Sequence, residues 1–252
     1  MSVNTTIVAS EILNRVAAEV GIAPIEAPLS SEDPFFIQLR YLLNTAGEEL
    51  MQAYPWEHLV RSHSITSAAG DSGEYDMPAD FGYILNQTEW DRTNNVPMGG
   101  PLSAQDWTYL KGRDLAQNTL YASFRISQGK FNIFPEPPAA GADYVSLDLN
   151  FEYISCAWVL KGDGAYVQQV TEASNIPLFD KTLITRAVKV KYLESGGFDT
   201  TKAQADLNQI FSFLTGTDKG APILNAGRTG YGYPYLDRRN IPDTGYGGGT
   251  PA

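Results

Sequence analysis

Residues 34–54 carry the feature that most constrains this fold, a single apolar stripe with helical spacing. The apolar residues recur every three or four positions, at Phe36, Leu39, Leu43, Ala46 and Leu50. This spacing predicts one face of an α-helix. Asp33 is suited to cap the helix and Pro34 to begin it, while Tyr54-Pro55 predicts its end. A helix with one apolar face must bury that face, so the rest of the chain is expected to fold back onto it.

Gly47 lies inside this predicted helix. A glycine in a helix interior costs about 1 kcal/mol relative to alanine. We therefore expect Gly47 to mark a position where another helix crosses closely.

Three further segments have helical texture, at residues 6–21, 180–197 and 200–216. Gly21 and Gly216 are predicted to stop the first and the last of them. The short connection between the last two segments favours an antiparallel hairpin. Two N-terminal and two C-terminal helices together predict a four-helix bundle.

Between the helical segments, short runs of β-branched and aromatic residues alternate with Gly, Pro, Asn and Asp. The predicted strands are 63–66, 83–90, 122–127, 130–134 and 144–155. Gln128-Gly129 predicts a tight turn between two of them. One short helix is expected after Ser103, because Asp106 stands three residues on in capping-box position.

The predicted fold class is α+β, with a four-helix bundle formed by the N- and C-terminal helices and an inserted, mostly antiparallel β-domain. An extended C-terminal arm completes the prediction. The predicted boundaries are 1–55 and 179–216 for the helical bundle, 56–178 for the inserted β-domain and 217–252 for the arm.

The composition narrows the classes of function. The net charge is −11, and so acidic a chain does not attract nucleic acid by neutralising phosphates. The single cysteine, Cys156, allows no internal disulfide and fits a reducing compartment. The N-terminal residues lack a signal-peptide pattern, and no apolar stretch is long enough to predict a membrane span.

The segment 217–252 is rich in Gly, Pro and Tyr and has neither helical nor strand periodicity. Such a segment cannot build its own core, so a disordered tail is one explanation. An arm that becomes ordered on a partner is the other, and four tyrosines favour it, because Tyr and Arg are enriched at interface hot spots. The candidate partner-binding residues of the arm are Arg228, Tyr231, Tyr233, Tyr235, Arg238, Arg239 and Tyr246.

The titratable residues do not form a recognisable catalytic or metal-binding pattern. His58 and His63 have no Cys, Asp or Glu at metal-ligand spacing, so packed or solvated histidines are expected. Cys156 lacks an evident base partner and is expected to be a buried thiol. Glu136 and Asp143 could in principle serve a glycosidase, but such pairs are common in a chain with 29 acidic residues. We therefore predict no cofactor, no metal and no enzyme.

Two other patterns have ordinary explanations. The Gly-x-Gly patterns at Gly162/Gly164 and Gly230/Gly232 do not follow a strand and open a helix, as a phosphate loop would. Aromatic residues concentrate in the β-half, where core packing is the expected role. They are Trp90, Trp107, Tyr109, Tyr121, Phe124, Phe131 and Phe134.

Several segments, in matching order over roughly residues 36–214, resemble the head-to-tail adaptor proteins of tailed bacteriophages, the tail accessory factor group. The first is Gly100-Pro101-Leu102-Ser103, followed by Gln105, Trp107, Leu110 and Lys111. The others are 121–138 (YASFRISQGKFNIFPEPP), 151–155 (FEYIS) and 189–207. None of these segments is a catalytic signature.

The resemblance implies a helical bundle with an inserted β-domain, and a ring of about twelve copies beneath the portal protein of the capsid. Such a ring extends the DNA channel and forms the platform for downstream tail proteins, either nozzle or tube proteins or fibres. The arm would reach toward the portal. The implied location is the head–tail interface of the virion, after assembly in the host cytoplasm.

The acidic composition agrees with this role, because an acidic ring repels phosphate and can enclose viral DNA without sequence-specific binding. Two alternatives remain open at this point. One is another tail component, such as a tube or fibre-attachment protein. The other is a cell-wall glycan hydrolase that uses some of the carboxylates.

Overall fold

The computed structural model describes residues 6–112, 122–138 and 146–218. In these ranges the chain has an α+β fold with five α-helices and antiparallel sheets. The helices are α1 (Ala9–Glu19), α2 (Pro34–Ala53), α3 (Ala104–Gly112), α4 (Lys181–Ser195) and α5 (Thr201–Asp218).

Helix α2 forms where the apolar stripe predicts it. Asp33 Oδ1 accepts a hydrogen bond from Phe35 N at 2.9 Å, and Pro34 is the first helical residue. Tyr54 has extended backbone angles and ends the helix. All the stripe residues are buried, namely Phe36, Leu39, Leu43, Ala46 and Leu50. The predicted helix and its buried face are confirmed.

Side-chain capping explains the start of α4, whereas the end of α5 differs from the prediction. Asp180 caps α4 by accepting from the backbone N–H groups of Thr182 and Leu183, at 2.8 and 3.3 Å. The prediction that α5 stops at Gly216 is wrong, because the helix continues to Asp218. A residue outside the helix stabilises its last turn, because Asp218 Oδ2 accepts a hydrogen bond from Glu57 N at 2.9 Å. This contact offsets the weak helix propensity of glycine.

Helix α4 is the central helix of the helical half, because α1, α2 and α5 all contact it. The buried faces of α1, α2 and α4 form one apolar core. Helix α5 lies at the side of this core and has no buried residue. Its core-facing residues are half-buried: Leu207, Ile210, Phe211 and Leu214.

In the described ranges the strands form three antiparallel sheets. They are β1 (Val60–Thr66), β2 (Glu74–Asp76), β3 (Phe81–Ile84), β4 (Trp90–Asp91), β5 (Val96–Pro97), β6 (Ser123–Ser127), β7 (Lys130–Phe134), β8 (Asp148–Ser155), β9 (Val159–Leu160), β10 (Tyr166–Val167) and β11 (Ile176–Pro177). In the largest sheet β8 pairs with β1, β3 and β4, and β4 also pairs with β5. The second sheet has the order β2-β7-β6, and the third has the order β10-β9-β11.

The predicted strand at 83–90 is wrong, because the structure has two separate strands there, β3 and β4. The chain turns between them, where Thr88 Oγ1 donates a hydrogen bond to Leu85 O at 2.6 Å and Gln87 has a φ of 70°. The tight turn at Gln128-Gly129 is confirmed, with φ angles of 55° and 73°. The longest predicted strand begins at Asp148 in the structure, and part of its predicted range lies outside the described residues.

A stack of three phenylalanines forms the centre of the β core. The rings of Phe124 and Phe131 lie 4.9 Å apart, and those of Phe131 and Phe151 lie 5.0 Å apart, with nearly parallel planes. Because these residues belong to β6, β7 and β8, the stack joins the β6–β7 hairpin to the largest sheet.

The chain that follows the phenylalanine stack leads into the helical core. Ile154 near the end of β8, then Trp158 and Val159, are fully buried against the helices. Trp158 lies directly against α2 at Gly47, where an added Cβ would overlap with the indole ring. The close approach predicted at Gly47 is therefore real, although the neighbour is a tryptophan side chain rather than a helix.

Candidate functional site

The seven candidate residues of the arm all lie outside the described residues. They are Arg228, Tyr231, Tyr233, Tyr235, Arg238, Arg239 and Tyr246. Their role in partner binding therefore stays a prediction.

The two histidines pack against aromatic rings. The His58 ring lies 5.8 Å from Trp56 and 5.6 Å from Phe179, and burial lowers its pKa from the ordinary value. The His63 ring lies 5.5 Å from Phe151, and burial lowers its pKa as well. Packed histidines, one of the two expected environments, are thus what the structure contains. Within the described residues, no group of three or more His, Cys, Asp or Glu side chains could hold a metal ion.

Asp80 connects the loop before β3 to the end of β8. Its carboxylate accepts hydrogen bonds from Tyr153 Oη at 2.9 Å and from Ser155 Oγ at 2.6 Å. Burial, and then the bond to Asp80, raise the pKa of Tyr153 to about 12. All three groups have a structural partner, so this cluster fastens the loop to the sheet.

Cys156 belongs to the same region. Its thiol is half-buried and donates a hydrogen bond to the carbonyl oxygen of Asp80 at 3.2 Å. Burial first, and then the Asp80 charge, raise the pKa of the thiol. The thiol expected to be buried is thus only half-buried, and its raised pKa disfavours the nucleophilic thiolate.

The carboxylate pair weighed for a glycosidase is only partly described. Glu136 is exposed and forms an ion pair with Lys111, with Oε1 to Nζ at 2.7 Å. Asp143 lies outside the described residues. Of the Gly-x-Gly patterns, Gly162/Gly164 lies in the turn between β9 and β10 and does not open a helix, whereas Gly230/Gly232 lies outside the described residues.

The aromatic residues of the β-half separate into core and surface positions. Phe124, Phe131 and Phe134 are buried, which confirms the core role expected of them. Tyr109 on α3 is 56% exposed. Trp90 and Trp107 are half-buried, and Tyr121 is not among the described residues.

A pocket beside strand β4, which we call the Glu89 pocket, was not predicted from sequence. It has a volume of about 570 Å³. Besides Glu89 itself, it is lined by Asn86, Gln87, Pro97, Met98, Gly100 and Pro101. The Glu89 side chain is only 3% exposed, and its Oε1 has no hydrogen-bond partner. The only local sequence signal is the acidic alternation of Glu89 and Asp91 around an aromatic residue in a β segment.

The wall of the Glu89 pocket is held to the sheet by backbone hydrogen bonds. Met98 N donates to Glu89 O at 3.0 Å, and Gly99 N donates to Ala122 O at 2.9 Å. Leu102 N donates to Phe124 O at 3.0 Å. The wall is therefore a formed part of the fold, and it includes Gly100 and Pro101.

A second concave surface lies where α2 and α5 flank α4. Its volume is about 290 Å³, and apolar residues such as Leu50, Val190 and Phe211 line it. An ion pair between Lys191 Nζ and Glu49 Oε1, at 2.7 Å, lies at the same place.

Comparison of the chain with protein-family models and with curated proteins found no match. No helix in the described ranges is long and apolar enough to cross a membrane.

Proposed function

We propose that this chain is a structural virion protein, a head-to-tail adaptor that forms a ring beneath the portal of a tailed bacteriophage. The observation that carries the proposal is the ordered series of segments that resemble such adaptors. In the fold these segments fall on the cap and body of α3, on the β6–β7 hairpin, on β8 and on the α4–α5 hairpin. They therefore span both halves of the molecule.

In this proposal, helices α1, α2, α4 and α5 act as a four-helix bundle and residues 56–178 as the inserted β-domain. Residues 217–252 act as the extended arm that reaches the portal. The contacts of α4 with the other three helices support the bundle, because one helix touches all the others. The bundle supplies a rigid body, and the β-half supplies contacts with neighbouring subunits or with the tail.

Helix α5 supports a role in assembly. It contacts the core on one side only, and Phe213 on this helix is 64% exposed. An exposed aromatic side chain on a helix is a suitable interface contact, because burial of a Phe contributes about 1.5–3 kcal/mol. Twelve or so such contacts in a closed ring would reinforce one another.

The charge of the chain supports the channel role. With a net charge of −11, a ring of these subunits repels DNA phosphates rather than gripping them. DNA can then slide through during packaging and ejection. The proposed partners are the portal protein and the downstream tail proteins, and no catalytic step is proposed.

The test measures the mass of the full chain alone and after mixing with the portal assembly of the virus that encodes it. We expect a monomer alone and a ring of about twelve copies on the portal. No association would contradict the adaptor role. A trimer or hexamer without portal affinity would instead favour a tube or fibre-attachment component.

The arm is tested by a chain that ends at Asp218, so that the contact of Asp218 with Glu57 is kept. We expect the truncated protein to keep its circular dichroism spectrum and to bind the portal much more weakly. A length-matched control replaces Tyr231, Tyr233, Tyr235 and Tyr246 by Ser in the full chain. Unchanged portal affinity in both variants would contradict a binding role for the arm.

A further inference from the structure

Glu89 is a buried acid whose carboxylate is not fully satisfied by the fold. Its side chain is 3% exposed, and within the described part of the chain its Oε1 meets no hydrogen-bond donor. Asp91, two residues along the chain, is equally buried but accepts from Thr93 N at 3.0 Å, Asn94 N at 3.2 Å and Asn94 Nδ2 at 2.7 Å. The Asp91 carboxylate is therefore paired within the fold, whereas Glu89 has one unpaired acceptor oxygen.

A buried acceptor without a donor is costly, by about 1–3 kcal/mol and more when it is charged. More than about nine in ten buried polar groups in folded proteins are paired, so an exception calls for an explanation. Glu89 is one of the residues that line the pocket, so a donor held in the pocket lies next to this residue.

The pocket suits one organic cation rather than a metal ion. Among the described lining residues Glu89 is the only charged one, and no three metal-ligating side chains come together in the described ranges. Ca²⁺ needs six to eight oxygen ligands, which usually include several carboxylates. A single positive charge with several N–H donors matches a single carboxylate better.

We propose that the Glu89 pocket binds the guanidinium group of an arginine side chain presented by a partner protein. A guanidinium offers paired N–H donors that bond both oxygens of a carboxylate. Pro97, Met98 and Pro101 provide apolar walls, against which the methylene stem of an arginine can pack. The acidic chain attracts a basic protein surface, and this attraction favours association with such a partner. This inference does not depend on the adaptor proposal.

The electrostatic state of Glu89 agrees with this geometry. Burial raises its pKa, and nearby backbone N–H groups at residues 87–89 lower it only in part. An arriving guanidinium would favour the charged carboxylate and bring the pKa down. Occupancy of the pocket can therefore be observed as a change in the titration of one side chain.

The experiment titrates the full-length protein with blocked arginine (N-acetyl-arginine amide) and follows backbone amides and ¹³C-labelled Glu carboxyls by NMR. The Glu89 carboxyl signal is assigned by its loss in Glu89→Gln. Blocked citrulline is the neutral probe of the same shape, and blocked lysine is the non-planar cation. Glu172→Gln, which removes an exposed carboxylate far along the chain, is the matched control variant.

We expect blocked arginine to bind with a dissociation constant on the order of millimolar, as suits one side chain. It should shift the amides of residues 86–102 and lower the Glu89 pKa. Blocked citrulline should bind the wild type at least about tenfold more weakly than blocked arginine does. Blocked arginine should bind Glu89→Gln at least about tenfold more weakly than it binds the wild type, because the charge-assisted bonds are lost in both cases. Glu172→Gln should bind like the wild type.

Three results would overturn the proposal. The first is equal binding of arginine and citrulline by the wild-type protein, a comparison that does not require the variant to fold. The second is a Glu89 carboxyl that stays protonated near neutral pH whatever the probe concentration. The third is a concentration-dependent shift of the same amides without any probe, because that would assign the pocket to a second copy of this chain.

Discussion

The α-carbon of Gly47 on helix α2 lies against the indole ring of Trp158, which is fully buried. A side chain at position 47 would occupy the space of ring atoms Cη2 and Cζ2. The absence of a side chain therefore lets the segment after β8 enter the helical core.

Gly47→Ala should destabilise the protein, although alanine is the better helix former. Overpacking in a core costs about 1–3 kcal/mol, which outweighs a propensity gain of about 1 kcal/mol. Gly216→Ala is the matched control, because Gly216 lies in helix α5 with open space around its α-carbon. That control should leave stability unchanged or raise it by up to about 1 kcal/mol.

Urea unfolding of the two glycine variants measures both effects. Adding Trp158→Phe to Gly47→Ala should recover part of the loss, because the two sites are in contact and their effects are not additive. A Gly47→Ala protein as stable as the wild type would show that the indole can move aside.

Leu43→Asp should lower the free energy of unfolding by about 4 kcal/mol or more, because it buries a charge without a partner. Leu43 is fully buried on α2, whereas Tyr41 on the same helix is 66% exposed. Tyr41→Asp is therefore the control and should change stability by about 0.5 kcal/mol or less. Thermal melts of the two variants check this, and an unchanged melting temperature for Leu43→Asp would place Leu43 at the surface.

His58 should make the protein less stable as the pH falls. Burial lowers its folded pKa below the ordinary value of 6.5, so the unfolded chain binds the proton first. Stability should therefore drop as the pH falls through 6.5 toward the folded pKa, and then level off. The measurement is the urea midpoint across this range for the wild type and His58→Gln.

His63 contributes in the same direction, because burial lowers its pKa too. Among these proteins, the double variant His58→Gln/His63→Gln should therefore show the weakest dependence of the urea midpoint on pH. Parallel curves for the wild type and His58→Gln would contradict a neutral, packed His58.

Tyr153 should have the opposite effect at high pH. Its folded pKa is raised to about 12, against 10.0 for the free side chain, so the unfolded chain loses the proton first. Stability should fall between pH 10 and 12 by at most about 3 kcal/mol, since one pKa unit corresponds to about 1.4 kcal/mol.

Tyr153→Phe should remove this part of the alkaline loss, and Tyr41→Phe, at an exposed position, should not. Spectroscopic titration of the phenolates gives an independent reading. A Tyr153→Phe protein with the wild-type pH profile would show that burial and the bond to Asp80 do not raise the pKa of Tyr153.

Local rules predicted much of the secondary structure. The stripe of α2, its cap at Asp33 and the turn at Gln128-Gly129 depend on residues adjacent in sequence, and all three are confirmed. The helix end predicted at Gly216 was wrong because a tertiary contact stabilises the last turn of α5. Asp218 bonds to Glu57, and no local pattern around Gly216 records that contact.

Contacts between residues that are distant in sequence could not be predicted in the same way. Gly47 indicated a close approach, but its neighbour Trp158 comes from a distant segment. Glu89 is an ordinary acidic residue in sequence, and its burial and its place beside Pro97 and Met98 arise only in the folded chain. The arm, with Arg228 and its tyrosines, rests on composition and resemblance alone.

Strand β8 belongs to both cores at once. Phe151 in its middle completes the phenylalanine stack, and Ile154 near its end is buried against the helices. Neither half can therefore lose its packing without exposing apolar surface in the other. Cooperative melting follows, so calorimetry should record one heat-absorption peak for both halves rather than two.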